Sequence, residues 1–299
     1  MTDQPVLVFI NPTAGRGRAG RRLAEIRQFF GAALLPIDVY ISDGAGDLER
    51  QVELHVANGA RRLVVVGGDG SVNEAVNGIQ RGGGDAVLGL VPSGTGNDFA
   101  KACDIPLDWK LAANSLVHRI AYDEAPRKID IGRVNDRFFA NGVGIGFDAK
   151  VTRIARSIRW PIGDLVYLVA LLRGLVDGVA TPEMQITAEN LNFHGPATLA
   201  TICNGAFLGG LFHIAPPATM TDSQLDLLIA EPVTRTRILA LLPKLMRGQH
   251  MQEKEVAHHL INKLTITATE PLESHVDGEV QEPQTRFEIE ILPGALRLF

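Results

Sequence analysis

The chain opens as an alternation of short apolar runs and amphipathic stretches. "PVLVFINP" (5–12), "PIDVYIS" (36–42), "RRLVVVGG" (61–68) and "AVLGLVP" (86–92) crowd apolar residues into runs too short for a helix. They read as strands. Between them "AGRRLAEIRQFFGAA" (19–33), "DLERQVELHVANG" (47–59) and "VNEAVNGIQRG" (72–82) space their apolar residues at three and four, the signature of helices with one buried face. Consecutive βα units of this kind predict a parallel, doubly wound α/β sheet covered by helices on both sides. Ligands of such sheets bind beyond the carboxyl ends of the strands, and the three glycine-rich turns of this half all fall there.

After about Asp123 the texture changes. Strand-like runs at 128–147, 183–205, 224–233 and 263–299 are separated by Gly, Pro, Asn and Asp, and predict a second, β-rich domain. Two apolar helical stretches, 161–178 and 235–248, interrupt it. The expected division is a nucleotide-binding α/β domain over 1–123 and a β-rich domain over 124–289, with strands near 290–299 free to return to the first.

A chain of 299 residues with 45% apolar and 21% charged residues suits a compact two-domain protein. Its net charge of −5 offers no global attraction to nucleic acid, so none is expected as a partner. Cys103 and Cys203 cannot build a disulfide framework or a cysteine-rich zinc site, and read as buried small apolar residues in a reducing cytosol. "MTDQPVLVFINP" lacks the basic start and long apolar run of a signal peptide, so a cytoplasmic protein is expected. The run 161–178 is interrupted by Asp164 and Arg173 and falls short of the roughly 20 residues of a membrane span. It reads as a half-buried helix. The histidines form no metal-ligand spacing; His258 and His259 would face opposite sides of a strand, and all eight read as structural or surface residues.

The first glycine turn, "GRGRAG" (Gly15 to Gly20), matches the dinucleotide spacing, with Asp38 about 20 residues on, but "NPTA" separates it from its strand where that fingerprint needs a tight turn. What survives is an anion site: the backbone at Gly15 and Gly17, with Arg16 and Arg18 adding charge. The second turn, in "LVVVGGDGSVNEAVNGI", lacks the lysine of a Walker loop. Gly67, Gly68 and Gly70 bare the backbone before a helix start, yet Asp69 places a carboxylate among phosphate-binding elements. That requires a cation or a hydroxyl proton between them, or a plain turn in which Asp69 satisfies its own backbone. Ser71 and Glu74 match the capping-box spacing. The third turn, "VPSGTGNDFAKA", brings Thr95, Asn97 and Asp98 before another helix; Val91 rules out a nucleophile elbow.

"NPTAGRG", "VVVGGDGSVNEAVNGI", "LVPSGTGNDFAKA", "KIDIG" and "VDGEV", in that order and over nearly the whole chain, resemble the diacylglycerol kinase catalytic domain of the bacterial soluble lipid kinases, relatives of the sphingosine and ceramide kinases. "GGDG" alone is shared with NAD kinases and 6-phosphofructokinases; its pairing with "PSGTGNDFA" and the late "DGE" is far more specific. The resemblance implies ATP- and Mg²⁺-dependent phosphorylation of a lipid hydroxyl, with a C-terminal β-sandwich as the second domain. It places the nucleotide at Asn11, Gly15, Ser42, Gly67, Gly68, Asp69, Gly70, Ser71, Val72, Asn73, Thr95 and Asp98, with Asp130 also near the metal. It makes Glu279 the first candidate for proton acceptor, Asp277 the second and Asp69 the third. Without it, "VDGEV" is equally a good hairpin with Asp277 and Gly278 at its turn.

The family's structural magnesium site maps to "PATMTDSQLDLLI", with the Asp222 carboxylate and the Thr219 and Gln224 carbonyls as ligands. Here Ser223 replaces the family's glycine and Gln224 its leucine. A lipid kinase would meet its substrate peripherally at a membrane surface, for which "RIARSIRW" (Arg153 to Trp160) and the following apolar helix are candidates. A homodimer is compatible with the sequence. The competing readings are an NAD or sugar kinase, and a nucleotide-binding sensor on the same fold without catalysis.

Overall fold

The structure is a computed structural model that describes residues 4–158, 163 and 165–299. The chain divides into two compact units, Met1–Asp130 with Pro293–Phe299, and Ile131–Leu292.

The first unit runs β1 (Val6–Ile10), α1 (Ala14–Arg21), α2 (Leu23–Ala32), β2 (Ile37–Ile41), α3 (Asp47–Ala57), β3 (Arg62–Gly67), α4 (Asp69–Arg81), β4 (Val87–Pro92), α5 (Asp98–Ala102) and α6 (Trp109–Ala121). Its strands lie in the order β2-β1-β3-β4, all parallel. The fully apolar strands follow from burial on both faces. Val6, Val8, Ile10, Val64 and Val66 pack against Ile26, Phe30, Leu116 and Ile120 of α2 and α6. The alternating Phe9 points the other way, stacking on Tyr40 at 5.3 Å and meeting His55 of α3. Because β1 is followed by β2 on one side and has β3 on the other, the connections diverge at the carboxyl ends of β1 and β3, where such sheets open a crevice.

Two local expectations are corrected. The helix expected over 19–33 is broken at Arg22, between the end of α1 and the start of α2, and the glycine turn before it takes left-handed backbone at Gly15, Arg16 and Gly17 (φ +57°, +61° and +82°). The capping box does not form either. Extended Gly68 caps α4, so the helix starts at Asp69 and Ser71 lies inside its first turn. Glu74 instead accepts the Glu49 N–H at 3.2 Å, satisfying a free donor in the first turn of α3.

The second unit takes up β5 (Arg127–Val134), then β6 (Arg137–Phe139), β7 (Gly142–Gly146), α7 (Phe147–Ser157), α8 (Leu165–Asp177), β8 (Glu183–Ala188), β9 (Leu191–Pro196), β10 (Leu199–Cys203), the small pair β11 (Phe207–Leu208) and β12 (Phe212–His213), β13 (Leu225–Ala230), α9 (Arg235–Met246), β14 (Val256–Ile261), β15 (Lys263–Val276) and β16 (Glu279–Leu298). Neighbours run in the order β14-β13-β10-β7-β15-β16. β15 serves two sheets: Leu264–Thr267 pair with β8, and Ser274–Val276 pair with β7 beyond a register shift. The inner faces close on Phe139, Ile145, Ile202, Leu227, Ile266 and Phe287, the core of a sandwich. At its far end β16 returns to the first unit, where Arg297 and Leu298 pair in parallel with Val87 and Leu88. Among the described residues no helix is long and apolar enough to cross a membrane, and both cysteines are buried.

Candidate active site

In the first unit the sequence-predicted nucleotide residues gather at the carboxyl edge of the sheet. Asn11 follows β1, Ser42 follows β2, Gly67 ends β3 and Ser93 follows β4. Asn11 bridges the crevice, its Nδ2 donating to the Ser71 Oγ at 3.3 Å while its Oδ1 accepts from the Thr13 N–H and hydroxyl. Ser42 is tied to the Ile10 carbonyl. The glycines are required by close approach of one turn to another. A Cβ on Gly15 would lie 1.9 Å from the Ser93 carbonyl oxygen, one on Gly68 2.7 Å from the Gly94 Cα, and one on Gly94 2.5 Å from the Gly68 Cα. The bare backbone thus faces protein as well as open space. Arg18 donates to the Gly15 and Gly94 carbonyls at 3.0 Å each, and Arg22 to the Pro92 carbonyl and Ser93 Oγ, so two guanidiniums clamp the first turn to the third.

Asp69 does not satisfy its own backbone. Its Oδ1 accepts the Phe99 N–H at 3.0 Å and so caps α5 on the third turn. Asn97, with left-handed φ of +51°, closes that turn through Gly94. Thr95 is exposed at its tip. Val72 and Asn73 are buried in α4, and the Val72 N–H already donates to the Gly68 carbonyl at 3.0 Å, so the unsatisfied amides of the helix start lie before it. Asp98 is buried and paired with Lys101 at 3.1 Å, and Asp130 is buried and accepts the Gly294 N–H at 2.7 Å. Asp38 is exposed near the start of β2 instead of at its carboxyl end, where the dinucleotide fingerprint needs its ribose acid.

In the second unit "VDGEV" forms a two-residue hairpin, with Val276 opposite Glu279 and both turn residues left-handed, Asp277 at φ +48° and Gly278 at +81°. The two carboxylates part company there. Asp277 is 8% exposed and accepts three backbone N–H groups, from Ala140 at 2.7 Å, Asn141 at 2.8 Å and Gly142 at 2.9 Å. It anchors the turn. Glu279 keeps 40% of its side-chain surface and pairs with Arg156 of α7, which also donates to the Gly278 carbonyl at 3.0 Å. Behind the turn His275 is buried, its Nε2 3.4 Å from the Asp148 Oδ2, which also accepts from the Thr201 hydroxyl at 3.0 Å. Burial works to raise the Asp148 carboxyl, but the neighbouring His275 ring and the Thr201 hydroxyl hold it below its ordinary range.

Asp148 and Thr201 also line a cavity of about 140 Å³ whose walls are otherwise almost wholly apolar, among them Val151, Leu171, Phe212 and Leu242. His250, 6% exposed, lines it too; burial keeps the ring below its ordinary pKa against the opposing effect of the Ile214 backbone. The largely apolar walls suit hydrocarbon better than a sugar.

The Asp222 turn tests the magnesium residues. Ser223 adopts φ +64°, the left-handed backbone that the family's glycine would supply, so the turn survives the replacement. Asp222 is exposed, its Oδ1 accepting the Gln224 N–H at 3.0 Å. One carboxylate with backbone carbonyls is a hard oxygen donor set that fits Mg²⁺. Among the described residues there is no cluster of three His, Cys, Asp or Glu side chains able to hold a metal.

Sequence reasoning missed Arg22, Asp148 and His275, and it read Arg18 as charge for an anion and Arg156 as part of a membrane-facing cluster where the structure uses them to hold the third turn and the Gly278 carbonyl. The signal in the sequence was indirect: His275, near the end of β15, lies two residues before the Asp277 turn.

Residues 5–134 match the diacylglycerol kinase catalytic domain family, and residues 141–299 match the YegS C-terminal NAD kinase beta sandwich-like domain. The chain is 31% identical to a Pseudomonas aeruginosa protein named "Probable lipid kinase YegS-like", over 99% of this chain and 94% of that one. It is 27% identical to a diacylglycerol kinase of Bacillus subtilis, over 91% of this chain and 88% of that one. A crystal structure titled as a diacylglycerol kinase from Bacillus anthracis shares the fold, with a TM-score of 0.73 at 22% identity over 100% of this chain and 97% of that one.

Proposed function

The chain belongs to the diacylglycerol kinase family of lipid kinases, and from that premise we propose that it transfers the γ-phosphoryl group of ATP to a hydroxyl of diacylglycerol or a closely related lipid. The largely apolar cavity in the second unit, with Asp148 and Thr201 among its few polar groups, is the observation that carries this reading. It takes a hydrocarbon chain and leaves a hydroxyl something to bond. An NAD or sugar kinase needs a polar acceptor pocket, and a sensor without catalysis has no use for the partly exposed carboxylate of Glu279.

In this reading the amides at Gly67 to Ser71, with Asn11, Gly15, Ser42 and Thr95, hold the nucleotide phosphates at the start of α4. The acceptor hydroxyl oxygen bonds to the γ-phosphorus as the bond to the β,γ-bridging oxygen breaks, leaving ADP. Glu279 takes the hydroxyl proton. Asp277 keeps the turn in place, and Asp69 holds the second glycine turn to the third. Asp98 and Asp130 supply negative charge toward the nucleotide's metal. Mg²⁺, when bound, neutralises phosphate charge, and at the separate structural site the Asp222 carboxylate with the Thr219 and Gln224 carbonyls would hold it.

The enzyme would collect its substrate at a membrane. Leu165, Leu172 and Val176 of α8 and Leu239 and Met246 of α9 are exposed, with Arg173 beside them. The "RIARSIRW" cluster contributes less than its sequence suggests, since Arg153 pairs with Glu273 and Arg156 with Glu279; Arg159 and Trp160 lie outside the described residues.

The test is transfer from radiolabelled ATP to a panel of lipids in mixed micelles, run with wild type and Glu279→Gln. Label in diacylglycerol, reduced by roughly 10²–10⁴ in the variant, is expected. Label in NAD or a sugar with none in lipid overturns the reading, and full activity of Glu279→Gln overturns the base assignment alone.

A further inference from the structure

His275 sits on β15 directly opposite Gly144 of β7, 3% exposed. Its two ring nitrogens have different partners. The Gly278 N–H donates to Nδ1 at 3.3 Å, and Nε2 faces the Asp148 Oδ2 at 3.4 Å. Gly144 makes room for this pair, since a Cβ there would come within 2.3 Å of both the His275 Nε2 and the Asp148 Oδ2. Nδ1 must present a lone pair to accept an N–H, so in the neutral ring the single proton belongs on Nε2, pointed at the carboxylate.

The turn that follows is held at every residue. Asp277 is bound through its carboxylate by three N–H groups, the Gly278 N–H by His275 and the Gly278 carbonyl by Arg156. The next residue is Glu279. An Asp-Gly hairpin already has the left-handed preferences its turn requires, and burying an imidazole against a carboxylate costs desolvation that a purely structural hairpin need not bear. The extra polar anchoring converges on the backbone unit immediately before the candidate base.

We propose that His275 is a positioning residue for phosphoryl transfer: Asp148 selects its Nε2–H tautomer, and the exposed Nδ1 lone pair fixes the Gly278 amide and thereby the aim of Glu279. This rests on Glu279 being the proton acceptor. A misplacement of about 1 Å at a reacting group can reduce rate on the order of 100-fold, so a lost hydrogen bond one residue away is felt in kcat.

The experiment compares two amides in the full chain. His275→Asn puts its Oδ1 near the place of Nδ1, where it can accept the Gly278 N–H. His275→Gln reaches toward Asp148 and leaves that N–H without an acceptor. Lipid kinase assays should show kcat for His275→Gln about tenfold or more below that for His275→Asn, with KM for ATP alike. Nitrogen-15 NMR of the ring-labelled wild type should show a bare Nδ1 and a protonated Nε2. Equal kcat for the two variants, or an Nδ1–H tautomer, overturns the proposal. If neither variant folds, the tautomer decides. Failure of the base assignment is read separately, from full activity of Glu279→Gln beside an intact Nε2–H signature.

Discussion

The two units build their candidate sites from different materials. In the first, the site is backbone: Gly68 and Gly94 lie against each other, Gly15 lies against Ser93, and the arginines and Asp69 act as struts between turns. In the second, the site is side chains: one carboxylate buried among three amides, one exposed against an arginine, and an imidazole between a carboxylate and an amide. A backbone site fails when anything is added to it. A side-chain site fails when a partner is removed.

That contrast can be broken from either side. Asp277→Ala leaves three N–H groups in the second unit without their acceptor, and a cost of about 3 kcal/mol or more is expected, with loss of lipid kinase activity. Urea unfolding followed by circular dichroism measures it; a variant as stable as wild type would show that the turn does not depend on this anchor. Gly68→Ala adds one methyl in the first unit and should cost about 1–3 kcal/mol by pushing the second and third turns apart. The melting temperature would fall by about 2–4 °C per kcal/mol, and ATP affinity should fall with it while the second unit's turn is untouched. A gain in stability would mean that the two turns are not in contact.

Arg156→Met tests the exposed pair with Glu279. Stability should change by less than about 1 kcal/mol, because both partners are partly solvated, whereas kcat should fall through the lost hold on Gly278. An unchanged kcat would leave Arg156 a surface ion pair only. The smallest effect is expected at the cysteines. Burial pushes the Cys103 thiol up to about 12 and Cys203 well above its ordinary value, so neither forms thiolate near neutral pH. Iodoacetamide should label neither in the native protein and both in denaturant; native labelling of Cys103 would show that α5 opens.

The fold was largely legible because its signals are local. Four apolar runs alternating with helical spacings specify a parallel sheet, and the hairpin at Asp277 and Gly278 follows from residue type alone. The Ser71 and Glu74 spacing misled because a capping box needs the helix to begin at Ser71, and the glycine pair before Asp69 lets it begin earlier. The function of Glu74 was decided by α3, a neighbour that spacing cannot reveal.

The sequence by itself determined the order of elements, the glycine turns at the strand ends and the motifs that place the chain among the lipid kinases. It also placed Glu279 and Asp277 side by side. Only the tertiary structure decided which of them is bound up in holding the turn, and why Asp69 stands among glycines. Hydrogen-bond partners lie far apart along the chain, 137 residues for Asp277 and Ala140 and 164 for Asp130 and Gly294. A carboxylate's role depends on which donors the fold brings to it and how much water it leaves, and neither quantity is local in sequence.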